Sequence, residues 1–475
     1  MPETLLAMRH DALAMLDRAL AAVEPGAAVT AALTDRARAS GMGKIGGSVP
    51  SRVCMLAVGK AAEAMAHAAL RLLPIESGVL VTSRPGTTSP PDRVRRVVAS
   101  HPLPDEGSLE AGRESLALVD GLDPGDLLLV LLSGGASSML EVSSVPLADI
   151  QACYRILLRS GLDIRSLNEV RKGLSGVKGG RLAERAVLRG AHVVSLIVSD
   201  ILGDPIGDIG SGPSAPSSSR GARARTILED AHLWREMPAS VKRVLGSSGR
   251  PVSWRDKSGL VRALVVANNE AACRAAMGEA ERRGYRTRIV TTSLRGESRE
   301  AGPQFIGRAL PRENPTAKRA AIAGGETTVT VRGSGRGGRN QEFALSVVRA
   351  LEGKSAVLLS CGTDGIDGNT DAAGAIVDGT TFARAREQGL DPRDFLRRND
   401  SYTFFEALGD LIVTGPTGTN VSDLQILLVD PSSASVPRRA GPTIGNRTSG
   451  RPNNTSGRLF HRSRPFASCA GGDRS

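Results

Sequence analysis

The chain has 475 residues, of which 40% are hydrophobic and 23% charged, a composition typical of a soluble protein with room for two or three cores. Its net charge of +12 suggests a nucleic-acid partner, but residues 431–475 hold eight arginines and one acid, Asp473, so this tail alone contributes +7. Aromatic residues make up only 3%, too few for the stacking surfaces of single-strand binders. We therefore expect no nucleic-acid partner.

The five cysteines are odd in number and widely spaced, and no two of them form a CxxC pair. This pattern predicts neither a disulfide framework nor a zinc site, and it favours the reducing cytoplasm. The N-terminus carries an amphipathic pattern, LLAMRHDALAMLDRAL, rather than a basic region followed by an apolar one. We expect a cytoplasmic chain with no membrane partner.

The first half of the chain alternates apolar runs with amphipathic stretches. Helical periodicity covers residues 4–23, after which SRVCMLAVGK predicts a buried strand and AAEAMAHAALRLL the helix that follows it. Further strands are predicted at 78–81, 95–99, 127–132 and 192–199, with crossover helices between them. Because these runs lack strict alternation, they favour an open parallel sheet of Rossmann-like type with helices on both faces.

The second half predicts a further α/β domain with a mixed sheet. It opens with the strand RALVVAN, and its later strands are predicted at 319–323, 326–332, 356–361 and 423–429. The pair Gly324 and Gly325 suggests an antiparallel hairpin, and GSSGRPVSWRDKS at 246–258 is typical of a linker. The predicted domains are 1–250 and 251–429, followed by a disordered basic tail at 430–475.

Pairs of glycines follow several of these apolar runs, where backbone N–H groups can approach an anion. The loop SGGASS predicts a phosphate cradle, although a plain strand-to-helix turn explains it equally well. Its candidate phosphate ligands are Ser133, Gly134, Gly135, Ser137 and Ser138. Lys60, where the first strand ends, and Lys178, beside another glycine pair, are candidate phosphate cations, and the alternative for each is a solvated lysine.

Acidic residues follow two of the predicted strands. Asp200 comes directly after VVSLIVS, at the edge where open parallel sheets bind ligands, with Asp204 close behind, and Asp364 follows the strand that ends near residue 361. Phosphoryl transfer needs Mg2+ held by carboxylates, so we expect these three aspartates to be metal ligands, with Asp200 alternatively a base. Each of them is otherwise a turn residue.

The segment TTVTVRGSGRGGRN contains a formal GxGxxG made by Gly333, Gly335 and Gly338. A dinucleotide fold would place a strand-end acid about 20 residues further on, and counting from Gly338 reaches VLLS instead. Arg336 and Arg339 suit the charge of a transferring phosphoryl group better than a hydride. We therefore expect Gly337 and Gly338 to bind phosphate.

Many ordered motifs of the chain resemble one family, and they run from about residue 5 to Val429. They are AVGKAA, HPLPDE, LLSGGASSML, VRKGLSGVKGGRLA, VSDILGD, GGETTVTV, GRGGRNQEFAL, CGTDGIDGNTDAAG and TGPTGTNVSDLQILLV. Together they resemble class II glycerate 2-kinase, whose C-terminal part is called the MOFRL domain. The chain departs from that family's pattern at Gly173, at Pro205 and in the loop at 214–220.

The resemblance implies ATP-dependent phosphorylation of D-glycerate at its 2-hydroxyl, with Mg2+, in a cleft between two α/β domains. It implies an active-site lysine at Lys60 and an arginine at Arg339, and we expect Asp200 to join them as the third catalytic residue. The chain is expected to act as a monomer or homodimer. Two alternatives stay open: an NAD(P)H-dependent hydroxypyruvate reductase, and a sensor that binds ATP without turnover.

Overall fold

The computed structural model describes residues 1–35, 50–86, 89–217, 219, 221–247, 259–310 and 316–431. These residues lie within one compact unit of the chain, Met1–Val436. Most of the predicted linker at 246–258 and nearly all of the predicted tail at 430–475 lie outside the described residues, as do two positions of the 214–220 loop. The prediction of a disordered tail therefore stays a prediction.

The first sheet has six strands in the order β3-β2-β1-β4-β5-β6, and every neighbouring pair is parallel. The strands are β1 Val53–Val58, β2 Ile75–Thr82, β3 Val94–Val98, β4 Leu127–Leu132, β5 His192–Val198 and β6 Val261–Ala267. This is the doubly wound order of the Rossmann fold, as the apolar runs predicted. β1 and β4 are buried along their whole length, which explains why neither alternates polar with apolar residues.

The described residues up to Ser247 form ten α-helices. They are α1 Glu3–Ala22, α2 Pro25–Thr34, α3 Ala62–Leu72, α4 Glu106–Asp120, α5 Ala136–Met139, α6 Leu147–Arg159, α7 Ile164–Leu174, α8 Arg181–Leu188, α9 Ala224–Asp230 and α10 Ala239–Ser247. Met55 of β1 packs in one core cluster with α3, and its neighbour Leu56 packs in a second cluster with α4. Successive strand residues point to opposite faces, so helices cover both faces, as predicted.

The second sheet is mixed and has the order β11-β10-β9-β12-β8-β7. Its strands are β7 Arg286–Leu294, β8 Arg319–Gly325, β9 Ala356–Gly362, β10 Gly374–Asp378, β11 Leu411–Ile412 and β12 Asp423–Val429. The associated helices are α11 Asn269–Arg282, α12 Ser298–Ala309, α13 Arg339–Leu351, α14 Thr381–Glu387, α15 Pro392–Arg398 and α16 Ser401–Leu408. β7 and β8 are parallel, and the other pairs are antiparallel.

The strand predicted at 326–332 and its hairpin at Gly324 and Gly325 are wrong. β8 is already paired on both sides, with β12 and β7, so a further strand has no free edge to join there. The backbone turns away at Gly325, whose φ is +152°, and the Thr-Val alternation beyond it makes only an isolated bridge from Thr328 to Glu297. Alternation alone therefore misled the prediction.

Two elements do not pack as a domain boundary near residue 250 would suggest. β6, expected to open the second domain, is parallel to β5 and completes the first sheet. α1 packs against α11 and β9, and Arg9 on α1 forms ion pairs with Asp378 and Asp410 in the second half. Residue 250 itself lies outside the described residues, and the division into domains stays a prediction.

Candidate active site

The carboxyl ends of β1 and β4 meet at the point where the strand order of the first sheet reverses. The chain leaves β1 through Gly59 to Lys60, and it leaves β4 through Ser133 to Gly134 and Gly135. Ligands of open α/β sheets bind outside such a reversal. A cavity of about 430 Å³ lies here, and its lining includes both glycines of β4's loop and, from the second half of the chain, Glu326.

Lys60 lies next to Gly135, one of the residues that line this cavity. Its backbone N–H donates to the carbonyl of Gly134 at 2.9 Å, which joins the ends of β1 and β4. A Cβ atom on Gly135 would lie 3.4 Å from Cγ of Lys60, so the lysine stem runs along the glycine loop. The side chain is exposed, with its ammonium free to meet a ligand.

The SGGASS loop directs only part of its hydroxyl groups into the cavity. Ser133 is buried, and its Oγ accepts from the N–H of Ala61 at 3.1 Å. Ser138 is also buried and donates to the carbonyl of Gly135 at 3.2 Å. Ser137 lines the cavity. The structure thus keeps Gly134, Gly135 and Ser137 at the site, whereas the hydroxyls of Ser133 and Ser138 hold the loop together.

Asp200 follows β5 and faces the same cavity. Burial raises the pKa of its carboxyl, and the positive charge of Lys60 acts in the opposite direction. Oδ2 lies so close to Gly134 that a Cβ there would be only 2.2 Å away. The glycine at position 134 therefore admits this carboxylate beside the loop.

Of the three aspartates predicted to bind a metal, Asp200 and Asp204 border one small cavity, and Asp364 is not part of its lining. Asp204 accepts from Nδ2 of Asn268 at 2.6 Å, and this small cavity, separate from the first, has a volume of about 180 Å³. Asp364 accepts from the backbone of Ile366 at 3.2 Å. Across the described part of the chain, no group of three or more His, Cys, Asp or Glu side chains is arranged to hold a metal ion. The predicted metal set is wrong as a cluster.

Arg339, the first residue of α13, is held by carboxylates on two sides. Its Nε donates to Oδ2 of Asp423 at 2.7 Å and its Nη2 to Oδ1 of the same residue at 2.9 Å. Its Nη1 lies 3.0 Å from Oε1 of Glu326. Because Glu326 lines the cavity together with Asp200, this pair brings Arg339 next to the same cavity.

The glycines that precede Arg339 lie against other parts of the chain, and the N–H of Gly337 donates to Oδ1 of Asn369 at 3.2 Å. Asp367 occupies the N-terminus of α13, where it accepts from the N–H groups of Asn340 at 3.0 Å and Gln341 at 2.8 Å. A Cβ on Gly338 would lie 2.3 Å from Cγ of Asp367, and one on Gly337 would lie 2.2 Å from Oγ of Ser401. An internal carboxylate thus fills the place predicted for phosphate at Gly337 and Gly338, and that prediction is wrong.

Lys178 is likewise not available to a phosphate. Its side chain is only 1% exposed and forms an ion pair with the buried carboxylate of Glu141. Its Nζ also donates to the carbonyl of Leu140 at 2.9 Å. The sequence indicated the cation correctly but could not reveal a carboxylate partner 37 positions earlier.

Five polar residues of the cavity lining were not among the predicted site residues: His101, Arg171, Asp208, Arg295 and Glu326. Burial lowers the pKa of His101 to about 4, and the positive charges of Lys60 and Arg171 contribute to this lowering. Its imidazole is therefore neutral at physiological pH. Arg171 lies in α7. The start of that helix could have been recognised in the sequence from Asp163, whose side chain caps it by accepting from the N–H groups of Arg165 and Ser166.

Comparison with known proteins connects this site to one family. Residues 11–246 match the family described as domain of unknown function (DUF4147), and residues 319–423 match the MOFRL family. The chain is 45% identical to D-glycerate 2-kinase of Thermotoga maritima over 80% of this chain and 91% of that protein. It is 39% identical, over 87% of this chain and 93% of its relative, to an Agrobacterium vitis protein that bears the provisional name of a hydroxypyruvate reductase.

A solved structure shares the fold. The crystal structure of glycerate kinase from Thermotoga maritima superposes with a TM-score of 0.77 at 40% identity, covering 90% of this chain and all of that one. A doubly wound sheet with a cavity at its reversal, whose lining includes Asp200, Arg171 and Arg295, is the arrangement of an α/β enzyme that acts on a small molecule. The chain belongs to the glycerate 2-kinase family, as its motifs predicted.

Proposed function

We propose that this chain is an ATP-dependent kinase that phosphorylates D-glycerate at the 2-hydroxyl, giving 2-phospho-D-glycerate and ADP. The observation that carries the proposal is the convergence of two cations on one cavity. Neither cation lines the cavity itself: Lys60, after β1, lies beside the lining residue Gly135, and Arg339, at the start of α13, contacts the lining residue Glu326. A phosphoryl group in transfer carries negative charge on three oxygens, which cations on two sides stabilise.

The loop after β4 supplies the nucleotide side of the site. Gly134 and Gly135 let backbone approach a phosphate closely, and Ser137 adds a hydroxyl that faces the cavity. Gly135 has φ +90°, a left-handed conformation that starts α5 and that few other residues adopt. We assign the terminal phosphates of ATP to this loop, with Lys60 above them.

Asp200 is the residue we assign to the acceptor hydroxyl. Its carboxylate borders the cavity, and its raised pKa makes it a better proton acceptor than an ordinary aspartate. Lys60 is near enough to stabilise the ionised form. In this arrangement Asp200 orients the 2-hydroxyl of glycerate and takes its proton as the bond to phosphorus forms.

Magnesium fits the site through oxygen ligands, which are the ligands it prefers. Glu326 lines the cavity together with Asp200, and one carboxylate together with phosphate oxygens is a common way to hold this ion. When bound, the ion would neutralise charge on the transferring phosphoryl group. Glu326 is therefore the residue we expect to hold it, in place of the predicted Asp204 and Asp364.

Among the described residues, no contact favours the reductase alternative. The GxGxxG glycines pack against the chain itself, since a Cβ on Gly333 would lie 2.2 Å from the carbonyl of Arg398 and one on Gly335 would lie 2.4 Å from Asp400. Asp367 already binds the helix amides that a pyrophosphate would need. Hydride transfer therefore has no cofactor site at the loop from which it was suggested.

A direct assay tests the function. Purified protein is supplied with ATP, Mg2+ and D-glycerate, and ADP release is followed. The product is then given to enolase, which accepts 2-phosphoglycerate and not the 3-isomer. We expect glycerate-dependent ADP release and direct conversion by enolase. ATP binding without ADP release would leave only a sensor, and nicotinamide oxidation with hydroxypyruvate would favour the reductase.

The proposed compartment is the cytoplasm. Four of the five cysteines, Cys54, Cys153, Cys273 and Cys361, are free and buried. Unpaired thiols of this kind are typical of a reducing compartment. Within the described residues, no helix is both long enough and apolar enough to cross a bilayer.

A further inference from the structure

Among the residues that the structure describes, Arg171 is a buried cation with no carboxylate partner. Its side chain lies in α7, borders the cavity at the reversal of the first sheet and is only 7% exposed. In the described part of the chain, its Nε has no hydrogen-bond partner, and no carboxylate lies within 4 Å of its guanidinium. Nη1 donates to Oδ1 of Asn168 at 3.5 Å, a long hydrogen bond to a neutral group.

The acids around it are already engaged. Glu141 is fully buried, and its Oε2 accepts from Lys178 and, at 2.9 Å, from the hydroxyl of Tyr154. Its Oε1 accepts from the N–H of Val142 at 3.1 Å. Asp208, which borders the same cavity, is paired with Lys172 at 3.0 Å. Neither acid is free to neutralise the charge of Arg171.

The protein compensates this charge only in part. The guanidinium lies over the ring of Tyr154, with Cζ 5.1 Å from the ring centroid, a cation–π contact worth about 2 kcal/mol when desolvated. Burying an ion without a counter-ion costs several kcal/mol, so such groups are rare unless an anion completes them. Because Arg171 borders a cavity, a bound anion can supply the missing charge.

We propose that Arg171 binds the carboxylate of the small hydroxy acid that the enzyme phosphorylates. This inference rests on the proposed function and deepens it by assigning the residue that selects acids over uncharged trioses. The planar guanidinium can form two parallel hydrogen bonds to a carboxylate, and the limited exposure of Arg171 restricts contact to a small group that enters the cavity. Lys60 and Arg339 are then left for the phosphoryl group.

His101 supports this division of the cavity. It borders the space together with Arg171, and both Arg171 and Lys60 act on its charge. Its imidazole is neutral because its pKa lies near 4, so it offers a hydrogen bond without adding charge. Arg295 also lines the cavity, but its side chain is exposed, so Arg171 is the buried cation of this lining.

The test replaces Arg171 with Met, which removes the charge, and with Lys, which keeps the charge but cannot form two parallel hydrogen bonds to one carboxylate. A charge-assisted hydrogen bond contributes about 1.5 to 3 kcal/mol, so the KM for D-glycerate should rise about 10- to 150-fold in R171M while the KM for ATP changes less than about 2-fold. R171K should be intermediate. An unchanged KM for glycerate would overturn the proposal, as would a rise confined to ATP, which would assign Arg171 to nucleotide phosphate.

Arg9 provides the matched control, because it is comparably buried, with a side chain 11% exposed, but is paired with Asp378 and Asp410. R9M should lower the melting temperature and leave the KM for glycerate unchanged. R171M should not lower the melting temperature, since it removes an uncompensated charge. If R171M proves as unstable as R9M, Arg171 is a structural residue. The KM for glycerate is then measured with soluble R171K, and a value equal to that of the wild type decides against the proposal.

A binding measurement separates this inference from the proposed function. Melting temperatures are recorded without nucleotide in the presence of D-glycerate, tartronate or hydroxypyruvate, each of which has a carboxylate. We expect these acids to stabilise the wild type and not R171M. If the wild type fails to phosphorylate glycerate but still shows this difference, the kinase assignment fails and the role of Arg171 stands. If R171M is stabilised as much as the wild type, or neither protein is stabilised, the role of Arg171 fails.

Discussion

The guanidinium of Arg339 and the carboxylate of Asp423 form a two-pronged ion pair, with distances of 2.7 and 2.9 Å. Asp423 is fully buried at the start of β12, where Nδ2 of Asn340 also donates to it at 2.9 Å. The pair fixes the plane of the guanidinium and leaves Nη1 for the cavity side, where it meets Glu326. The orientation of the Arg339 side chain is thus set by Asp423, which does not line the cavity.

Replacing Asp423 with Asn should therefore damage catalysis through Arg339. One prong is lost and the guanidinium can rotate, so we expect kcat to fall about 100-fold, the effect of losing one transition-state donor. The free energy of unfolding should fall by about 2 kcal/mol, since a charged hydrogen bond is lost in a buried place. Steady-state kinetics and urea unfolding measure the two effects.

The matched control for this variant is Asp378→Asn. Asp378 is equally buried and accepts from Nε of Arg9 at 2.7 Å, on the part of the fold where α1 packs. It should lose similar stability and keep its kcat. If the two variants lose kcat equally, Asp423 contributes only to stability and the positioning of Arg339 is not its function.

Lys60→Met should lower turnover without changing stability. Lys60 is exposed, and surface substitutions of this kind usually change the free energy of unfolding by less than about 0.5 kcal/mol. If its ammonium stabilises the transferring phosphoryl group, kcat should fall about 1000-fold. Lys354, an exposed lysine just before β9, provides the control, and Lys354→Met should keep the rate of the wild type. A K60M enzyme as fast as wild type would remove Lys60 from the mechanism.

The roles of Glu326 and Asp200 can be distinguished by how the rate of each variant depends on Mg2+ concentration. Glu326→Gln should raise the Mg2+ concentration required for half-maximal rate, because one of its few protein ligands becomes neutral. Asp200→Asn should lower kcat even at saturating Mg2+, by about 100- to 10 000-fold, because the proton acceptor is lost. Rates measured over a range of Mg2+ concentrations check both. The reverse pattern would exchange the two roles.

Much of the fold was predictable because its signals are local. β4 matches its predicted bounds of 127–132 because six consecutive aliphatic residues can be satisfied only by burial on both faces. Lys60, Gly134 and Asp200 were predicted at the site because each follows a strand of one parallel sheet, whose carboxyl ends meet at one edge. In these cases the chain order alone implies the arrangement in space.

The errors share one physical cause, which is a partner distant in sequence. Lys178 has the same appearance in sequence whether Glu141 or a phosphate neutralises it. The glycines before Arg339 suit a phosphate until Asp367, 29 positions after Gly338, takes the helix amides. The segment 326–332 alternates as a strand does, but β8 has no free edge to receive it. Pairing of this kind is decided by tertiary structure.

Gly134→Ala should damage the site through Asp200. A Cβ at this position would lie 2.2 Å from Oδ2 of Asp200, so the carboxylate must move. We expect kcat to fall at least about 10-fold and the protein to remain folded, because the obstacle is the end of one side chain rather than backbone. Gly207→Ala is the control, since a Cβ there meets nothing within 4 Å. Equal rates in G134A and wild type would show that the position of Asp200 is not critical.

The last prediction concerns the pH dependence of stability and the carboxyl of Asp367. Burial raises its pKa to about 7, against the opposing effect of the N–H groups of Gln341 and Asn340, while Asp423 raises it further and Arg339 lowers it. The folded state therefore holds a proton between about pH 4 and pH 7 that the unfolded state has released. Stability from this group is complete below pH 4 and is lost as the pH rises through 7.

For a shift of this size the loss is on the order of 4 kcal/mol, spread over that interval. Asp367→Asn cannot release a proton, so its free energy of unfolding should lack this decline, even if the variant is less stable at every pH because an amide cannot accept both backbone hydrogen bonds. Urea unfolding of both proteins at pH 5 and pH 8 provides the comparison. If D367N shows the same decline as wild type, then Asp367 is ionised throughout this range, and the helix amides, rather than burial, determine its charge.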